Sequence, residues 1–296
     1  MASVTGRVRD FNRYYTQRIG VLTDRYLGQR PLGEARLLFE IGAAAATGDG
    51  TAEVGAVRAR LGLDSGYASR LLRSLERQGL IQLRPDPRDA RARLAVVTET
   101  GRKEITALDA LSDGGVDDLL APLTPGQRER LADAMGEIQR LLRAAAVTIR
   151  PVPAESAAGR SCLLAYAEEL GHRFPEGYSA SDLVAPQELD PPSGLLLVAA
   201  DDLGDVACVG LRTFAPGVGE VRHMWVHPRA RRTGLGRRLL AELEARALAM
   251  GLPELRLGTH ESLPEAIAMY RALGYAETTA HTDDPHNQRF FVKRLS

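Results

Sequence analysis

Cysteine is nearly missing from this sequence, with Cys162 and Cys208 the only two in 296 residues. Two cysteines cannot build a disulfide framework. Neither sits in a C-x-x-C or Cys/His pattern with zinc spacing, so both read as small buried apolar side chains and no metal site is expected. Long apolar runs are also lacking. None approaches the ~20 residues that a membrane-spanning helix needs, and the opening MASVTGRVRDFNRYY has no apolar stretch of the signal-peptide kind. A cytoplasmic protein without membrane contact is therefore expected. A net charge is absent too, 38 Lys and Arg balancing 38 Asp and Glu, but the charges are unevenly placed. Residues 1–150 hold 23 basic against 19 acidic side chains and the remainder 15 against 19. What is present is ample apolar material, 44% of residues, on a chain about twice the ~150 residues of a typical domain, so two globular domains are expected.

In the first half, residues 5–28 place Val8, Phe11, Tyr15, Ile19, Leu22 and Leu27 at steps of three to five, which predicts an amphipathic helix closed by Gly28. A helix this early has no core of its own and must dock on something. The pattern predicts a second helix over 32–46, a turn at 47–51 and a short helix from Thr51 to Leu61. In the next run, LGLDSGYASRLLRSLERQGLI, Gly62 ends one helix and Asp64 or Ser65 caps the next, giving a helix-turn-helix. Ala68, Leu71, Leu72 and Leu75 turn inward. Ser65, Tyr67, Ser69, Arg70, Arg73 and Arg77 are left for the outer and forward faces, where such side chains bond phosphates and base edges. The following QLRPDPRDARARLAVVT reads as two extended runs about a polar tip, a β-hairpin studded by Arg84, Arg88, Arg91 and Arg93. Nine arginines between 58 and 93, with few acids among them, make the local basic face that a polyanion partner requires.

These residues resemble the MarR family of regulators: DARARLAVVTETG fits its D-x-R…apolar-T-x-x-G wing, and LGLDSGYASRLLRSLERQGLI its recognition helix. The resemblance implies operator DNA as a partner, with Arg91 in the minor groove and Asp89 orienting it. It also implies a homodimer formed through the N-terminal helix and helices near 103–143, its two-fold axis matching two DNA half-sites about one helical turn apart. An open alternative is a solvated arginine face on a winged helix that serves only as a dimer scaffold.

Pro151 and Pro153 disfavour continuing the helix before them, which places the domain boundary between 146 and 147. The second half then reads strand 147–152, helix 155–173, strands 195–200, 206–214 and 219–226, helix 234–250, strand 254–259, helix 263–273, and strands near 275–281 and 288–295. The expected fold is a mostly α winged helix-turn-helix over 1–146, followed by an α+β domain over 147–296 with a mostly antiparallel sheet. Its informative run is EVRHMWVHPRARRTGLGRRLLAELEARALAMG. A strand ends at Val226, a loop holding Arg231, Arg232, Thr233, Gly234, Leu235 and Gly236 follows, and Arg237 lies in the first turn of an amphipathic helix. Free N–H groups at a helix start, with a dipole equivalent to about +0.5 charge, form an anion site. No Lys-Ser/Thr follows, which excludes a P-loop, and a third glycine and βαβ context for a dinucleotide fold are missing.

RRTGLG is similar to the (Q/R)-x-x-G-x-G/A loop of GNAT acetyltransferases, AIAMYRALGY to their A-x-x-x-Y-x-x-x-G-(F/Y) element, and VTIRPV to their opening strand. The resemblance covers 147–296 and implies acetyl-CoA as acyl donor, its pyrophosphate on residues 231–237 and its pantetheine arm beside Met224 and Val226. Acyl transfer to an amine needs a base for the ammonium proton and a donor for the departing thiolate. The resemblance assigns these roles to Glu220 and Tyr270, with backbone N–H near Val226 polarising the thioester carbonyl. Phe174 and Tyr178 of RFPEGY, with Arg222, His223 and His260, are the candidate lining for a small-molecule amine acceptor. The whole layout resembles MarR-GNAT fusion regulators, although His223 stands where that pattern has an arginine and GTH at 258–260 replaces D-T-N. Three functions remain open at this point: a bifunctional regulator and N-acetyltransferase, a regulator whose second domain only senses its ligand, and an acetyltransferase on a non-DNA-binding scaffold.

Overall fold

Contacts along the chain separate two units, residues 1–130 and 131–296, in the computed structural model, which describes residues 3–19, 25–26, 30–46, 50–87, 89 and 92–296. In the first unit, helix α1 (Val4–Arg18) is capped by the Ser3 hydroxyl, which accepts from the Gly6 N–H at 3.0 Å. It stops well short of 28. Arg25–Tyr26 (β1) instead pairs antiparallel with Arg30–Pro31 (β2), a pairing that three- and four-residue spacing cannot register; Leu22 and Leu27 lie outside the described residues. Helix α2 (Leu32–Ala46) spans the expected residues and buries Ala35, Leu37, Leu38 and Ile41.

The short helix starts later than expected. Ala52–Glu53 forms a strand, β3, ahead of α3 (Val54–Leu61), because those two residues pair with the hairpin's second strand. Gly62, at φ 62°, ends α3 in the left-handed region, and the Asp64 carboxylate accepts the Tyr67 N–H at 2.8 Å to open α4 (Ser65–Arg77). The hairpin is β4 (Ile81–Pro85) and β5 (Arg93–Val97), in the strand order β3-β5-β4. Two 22-residue helices follow, α5 (Glu99–Leu120) and α6 (Pro125–Ala146). The division between units falls inside α6 because its last turns are tied to the second unit. Arg238 donates to the carbonyls of Ala144 and Val147, and Arg143 pairs with Asp202 at 3.3 Å.

The second unit follows the expected element order: β6 (Thr148–Val152), α7 (Ala157–Arg173), β7 (Gly194–Asp201), β8 (Gly204–Ala215), β9 (Val218–Val226), α8 (Leu235–Ala249), β10 (Glu254–Thr259), α9 (Pro264–Ala272), β11 (Ala276–Thr278) and β12 (Arg289–Arg294). These strands form one sheet in the order β11-β12-β10-β9-β8-β7-β6, antiparallel except between β9 and β10. Both faces are covered, which is why β7 reads as the unbroken apolar run GLLLVAA. Leu197 packs with Leu239 and Leu243 of α8, while Leu196 and Val198 pack with Cys162 and Leu163 of α7. Both cysteines are buried and unpaired. Among the described residues, no helix is long and apolar enough to cross a membrane.

Candidate functional site

Three local features open the sheet of the second unit. Parallel pairing of β9 with β10 runs only over Val218–Glu220 against Glu254–Arg256, so the strands part beyond it and the edge of β9 is left to other partners. At the same place β9 carries a bulge. Cys208 pairs with Trp225 and Gly210 with Arg222, so His223 and Met224 together face Val209, and His223 takes φ 51°. Past Val226 the chain turns into α8, whose N-cap Gly234 sits at φ 83° and has no side-chain capping bond. The first N–H groups of such a helix have no intrahelical partner, and a Cβ at position 234 would meet nothing within 4 Å.

The arginines of this loop divide by role. The Arg231 guanidinium is bound to the Val226 carbonyl at 2.8 Å and to Glu169, so it ties the loop to β9 and α7. Arg232, at φ 63°, and Arg237 are exposed. Thr233 donates to the Ala230 carbonyl at 2.7 Å, and Leu235 is core, so it presents only its backbone. Gly236 has a packing reason for its size, since a Cβ there would stand 3.2 Å from the Met269 Sδ.

A narrow cleft of about 60 Å³ lies beside the bulge. It gathers Phe174, Tyr178, Arg222, His223, Met224, His260 and Tyr270 from the expected site, brought in by α7, β9, β10 and α9. Burial raises the Tyr270 phenol above its ordinary range, so it remains a proton donor at neutral pH. His223 is held neutral, its pKa pushed down to about 3 by burial beside Arg222 and Arg212. Its Nε2 accepts the Val184 N–H at 3.2 Å, which leaves the proton on Nδ1, a buried atom with no partner. His260 accepts the Ser262 N–H through Nδ1 and turns Nε2 toward Glu176 at 3.1 Å, off the line of a good hydrogen bond.

Glu220 is fully buried and does not line the cleft. One carboxylate oxygen accepts from Arg212 at 2.5 Å. The other, 3.6 Å from Arg222, has no hydrogen-bond partner. Trp225 packs under the sheet, its indole N–H donating to Glu169 at 2.9 Å. Among the described residues, every buried side-chain polar atom without a hydrogen-bond partner falls between Glu220 and Asn287, in β9, at the end of β10 or in the 281–287 segment. Such atoms are rare in folded proteins, and their gathering in one region marks it as a place built to meet something other than protein.

In the first unit a second groove runs between α4 and the hairpin. Ser65, Ser69, Arg73, Asp89 and Arg93 of the expected nucleic-acid surface line it, joined by Arg58 and Glu53. Arg70 and Arg84 are exposed beside it. Tyr67 is drawn partly toward α2, its hydroxyl filling the space a Cβ at Gly33 would need, with the Arg70 guanidinium 5.6 Å from its ring centre. Arg88 and Arg91 lie outside the described residues.

With this geometry in place, comparison with known proteins is decisive. Residues 163–275 match the model of the acetyltransferase (GNAT) family. An IAA acetyltransferase of Azospirillum brasilense is 37% identical to the chain over 113 residues, which cover 37% of this chain and 74% of that protein. The chain belongs to the GNAT acetyltransferase family. An uncharacterized N-acetyltransferase of Schizosaccharomyces pombe is 28% identical over 123 residues, covering 40% of the chain and 76% of that protein. A GNAT-family acetyltransferase structure from Staphylococcus aureus Mu50 is 16% identical, with a TM-score of 0.45, and covers 51% of the chain and all of that protein. Residues 29–92 match the model of the MarR family, so this acyltransferase carries a MarR winged helix ahead of its catalytic fold.

The cleft beside the bulge also contains residues that the sequence did not single out: Tyr166 on α7, and Asp284, His286 and Asn287 between β11 and β12. Tyr166 is masked in sequence by its place on an amphipathic helix. The other three lie in HTDDPHNQ, a polar run too rich in chemistry for a plain connection, which was the available signal.

Proposed function

We propose that the chain is a homodimeric regulator that binds operator DNA through residues 51–97 and transfers an acetyl group from acetyl-CoA to a primary amine on a small molecule. In functional terms the halves divide at 146–147. The observation that carries the catalytic part is the meeting of Tyr270, Met224 and the β9 bulge in one cleft, next to an uncapped helix start. The residues present suit the donor. The N–H groups at the start of α8, with exposed Arg232 and Arg237, would hold its pyrophosphate, and the parted edge of β9 at Met224 and Val226 would hold its pantetheine arm. Acetyl-CoA supplies an activated acyl thioester. The Tyr270 phenol, kept protonated by burial, gives its proton to the sulfur as the C–S bond breaks. The ammonium proton leaves through water toward Glu220, whose unpartnered buried oxygen is the feature expected of its destination.

Support for the regulator comes from the first unit. Arg58, Arg73 and Arg93 share a groove with Ser65 and Ser69 at the start of α4, the arrangement by which a recognition helix and wing straddle a DNA groove. Support for the homodimer comes from α1, which buries no residue although Val8 and Phe11 form its apolar side.

The first test is release of coenzyme A thiol across a panel of amines by the wild type, Tyr270→Phe and Glu220→Gln. Tyr270→Phe is expected to lower kcat about 10²-fold with acetyl-CoA affinity retained. Glu220→Gln is expected to lower kcat by a similar factor, with acetyl-CoA affinity retained. No turnover by the wild type despite measured acetyl-CoA binding would move the assignment to a ligand-sensing regulator, and equal affinity for upstream and random duplex would leave an enzyme on a scaffold.

A further inference from the structure

The acceptor side of the cleft has a chemistry more specific than that of a general amine site. Six rings face one another there. His223 meets Tyr166 at 5.2 Å, Tyr166 meets Tyr178 at 5.7 Å, Tyr178 meets Phe174 at 5.9 Å, and His260 and His286 lie against Phe174 at 4.1 and 5.9 Å. Such walls fit a flat apolar body, and ring faces favour a cation near them.

The charges around those rings are mostly negative. Glu176 stands against His260 and His286 at 3.1 and 3.6 Å, and Asp182 stands 3.8 Å from His286. Asp284 lines the cleft itself. Among the described residues Arg222 is the one Lys or Arg in the lining, and its charge is already answered. Two guanidinium nitrogens lie 3.1 Å from the Asp284 carboxylate, and Glu220 lies at 3.6 Å. A carboxylate on the acceptor would find no free cation here and would meet Glu176 and Asp182 as like charges. Two of the unpartnered polar groups in the lining, the His223 Nδ1–H and the Asn287 amide, are uncharged donors and suit a hydroxyl or carbonyl oxygen.

We propose that the acceptor is a primary amine on a flat aromatic body that bears no carboxylate, in short an arylalkylamine rather than an amino acid. This rests on the acyl-transfer reading of the cleft. Asp284 is the specificity-determining residue, because it neutralises the one cation that could receive a carboxylate.

Two readouts keep the acceptor class and the acyl-transfer reading apart. Thiol release with acetyl-CoA is measured for 2-phenylethylamine and tyramine against phenylalanine, tyrosine and putrescine. Calorimetric binding of the same five probes is measured on the full chain without acetyl-CoA. The arylalkylamines are expected to exceed both amino acids and putrescine at least tenfold in kcat/KM and in affinity. Asp284→Asn is expected to release Arg222 and narrow the gap between tyramine and tyrosine. Glu176→Gln, at the exposed rim, is expected to weaken tyramine several-fold without change in tyrosine. Tight binding of the arylalkylamines without turnover would overturn the acyl-transfer reading and support the acceptor class. Amino acids or putrescine binding as well as tyramine, or none of the five binding, would overturn the acceptor class.

Discussion

His223 shows how one buried side chain couples the site to stability. Its pKa of about 3 in the folded chain compares with about 6.5 when unfolded. Above 6.5 both states are neutral and the group has no effect. Below it the unfolded chain takes up a proton that the folded chain refuses, so stability falls by about 1.4 kcal/mol per pH unit until the folded pKa is reached. The urea midpoint is therefore expected to drop between pH 6.5 and 4.5, and His223→Asn to flatten that slope. An unchanged slope in the variant would show that other groups carry it. His223→Leu, which has no N–H to replace Nδ1–H, should raise KM for the acceptor while acetyl-CoA affinity holds.

At the scale of an element, the start of α8 separates two uses of glycine. Gly234 adopts φ 83° with open space around it, so its need is conformational. A side chain there is strained by roughly 1–2 kcal/mol unless the loop moves and its N–H groups turn away. Gly234→Ala is accordingly expected to weaken acetyl-CoA about tenfold by calorimetry. Gly236 is instead pressed by the Met269 Sδ, the far end of a flexible side chain that can shift. Gly236→Ala should lower the melting temperature slightly and change acetyl-CoA affinity by less than threefold. If both variants bind acetyl-CoA as the wild type does, this helix start is not the donor's anion site.

Across the whole molecule, unsatisfied apolar surface sits on the long helices. Val8 is 54% exposed on α1 and Leu142 66% exposed on α6, and α6 buries only Ala144. The homodimer proposed above would cover these side chains with a second copy. Light scattering is expected to report a dimer for the wild type and a monomer for the double variant Phe11→Glu/Leu142→Glu, with loss of tight operator binding because half-sites are then engaged singly. A dimeric double variant would place the interface elsewhere. The order of elements in the second unit, the winged helix, the glycine-opened helix start and seven of the cleft's residues were legible in sequence, because periodicity, caps and short motifs are local. The end of α1, the β3 pairing and the lining by Tyr166, Asp284 and His286 were not, since each depends on partners far along the chain. The sequence by itself determined which chemistry the chain carries: a basic helix-turn-helix, a glycine-opened helix start, a tyrosine in its motif. Only the tertiary structure decided which charges remain free. Arg231 and Arg222 look equivalent as residues, yet one is spent on Val226 and Glu169 and the other on Asp284, because burial makes every charge find its nearest counterion.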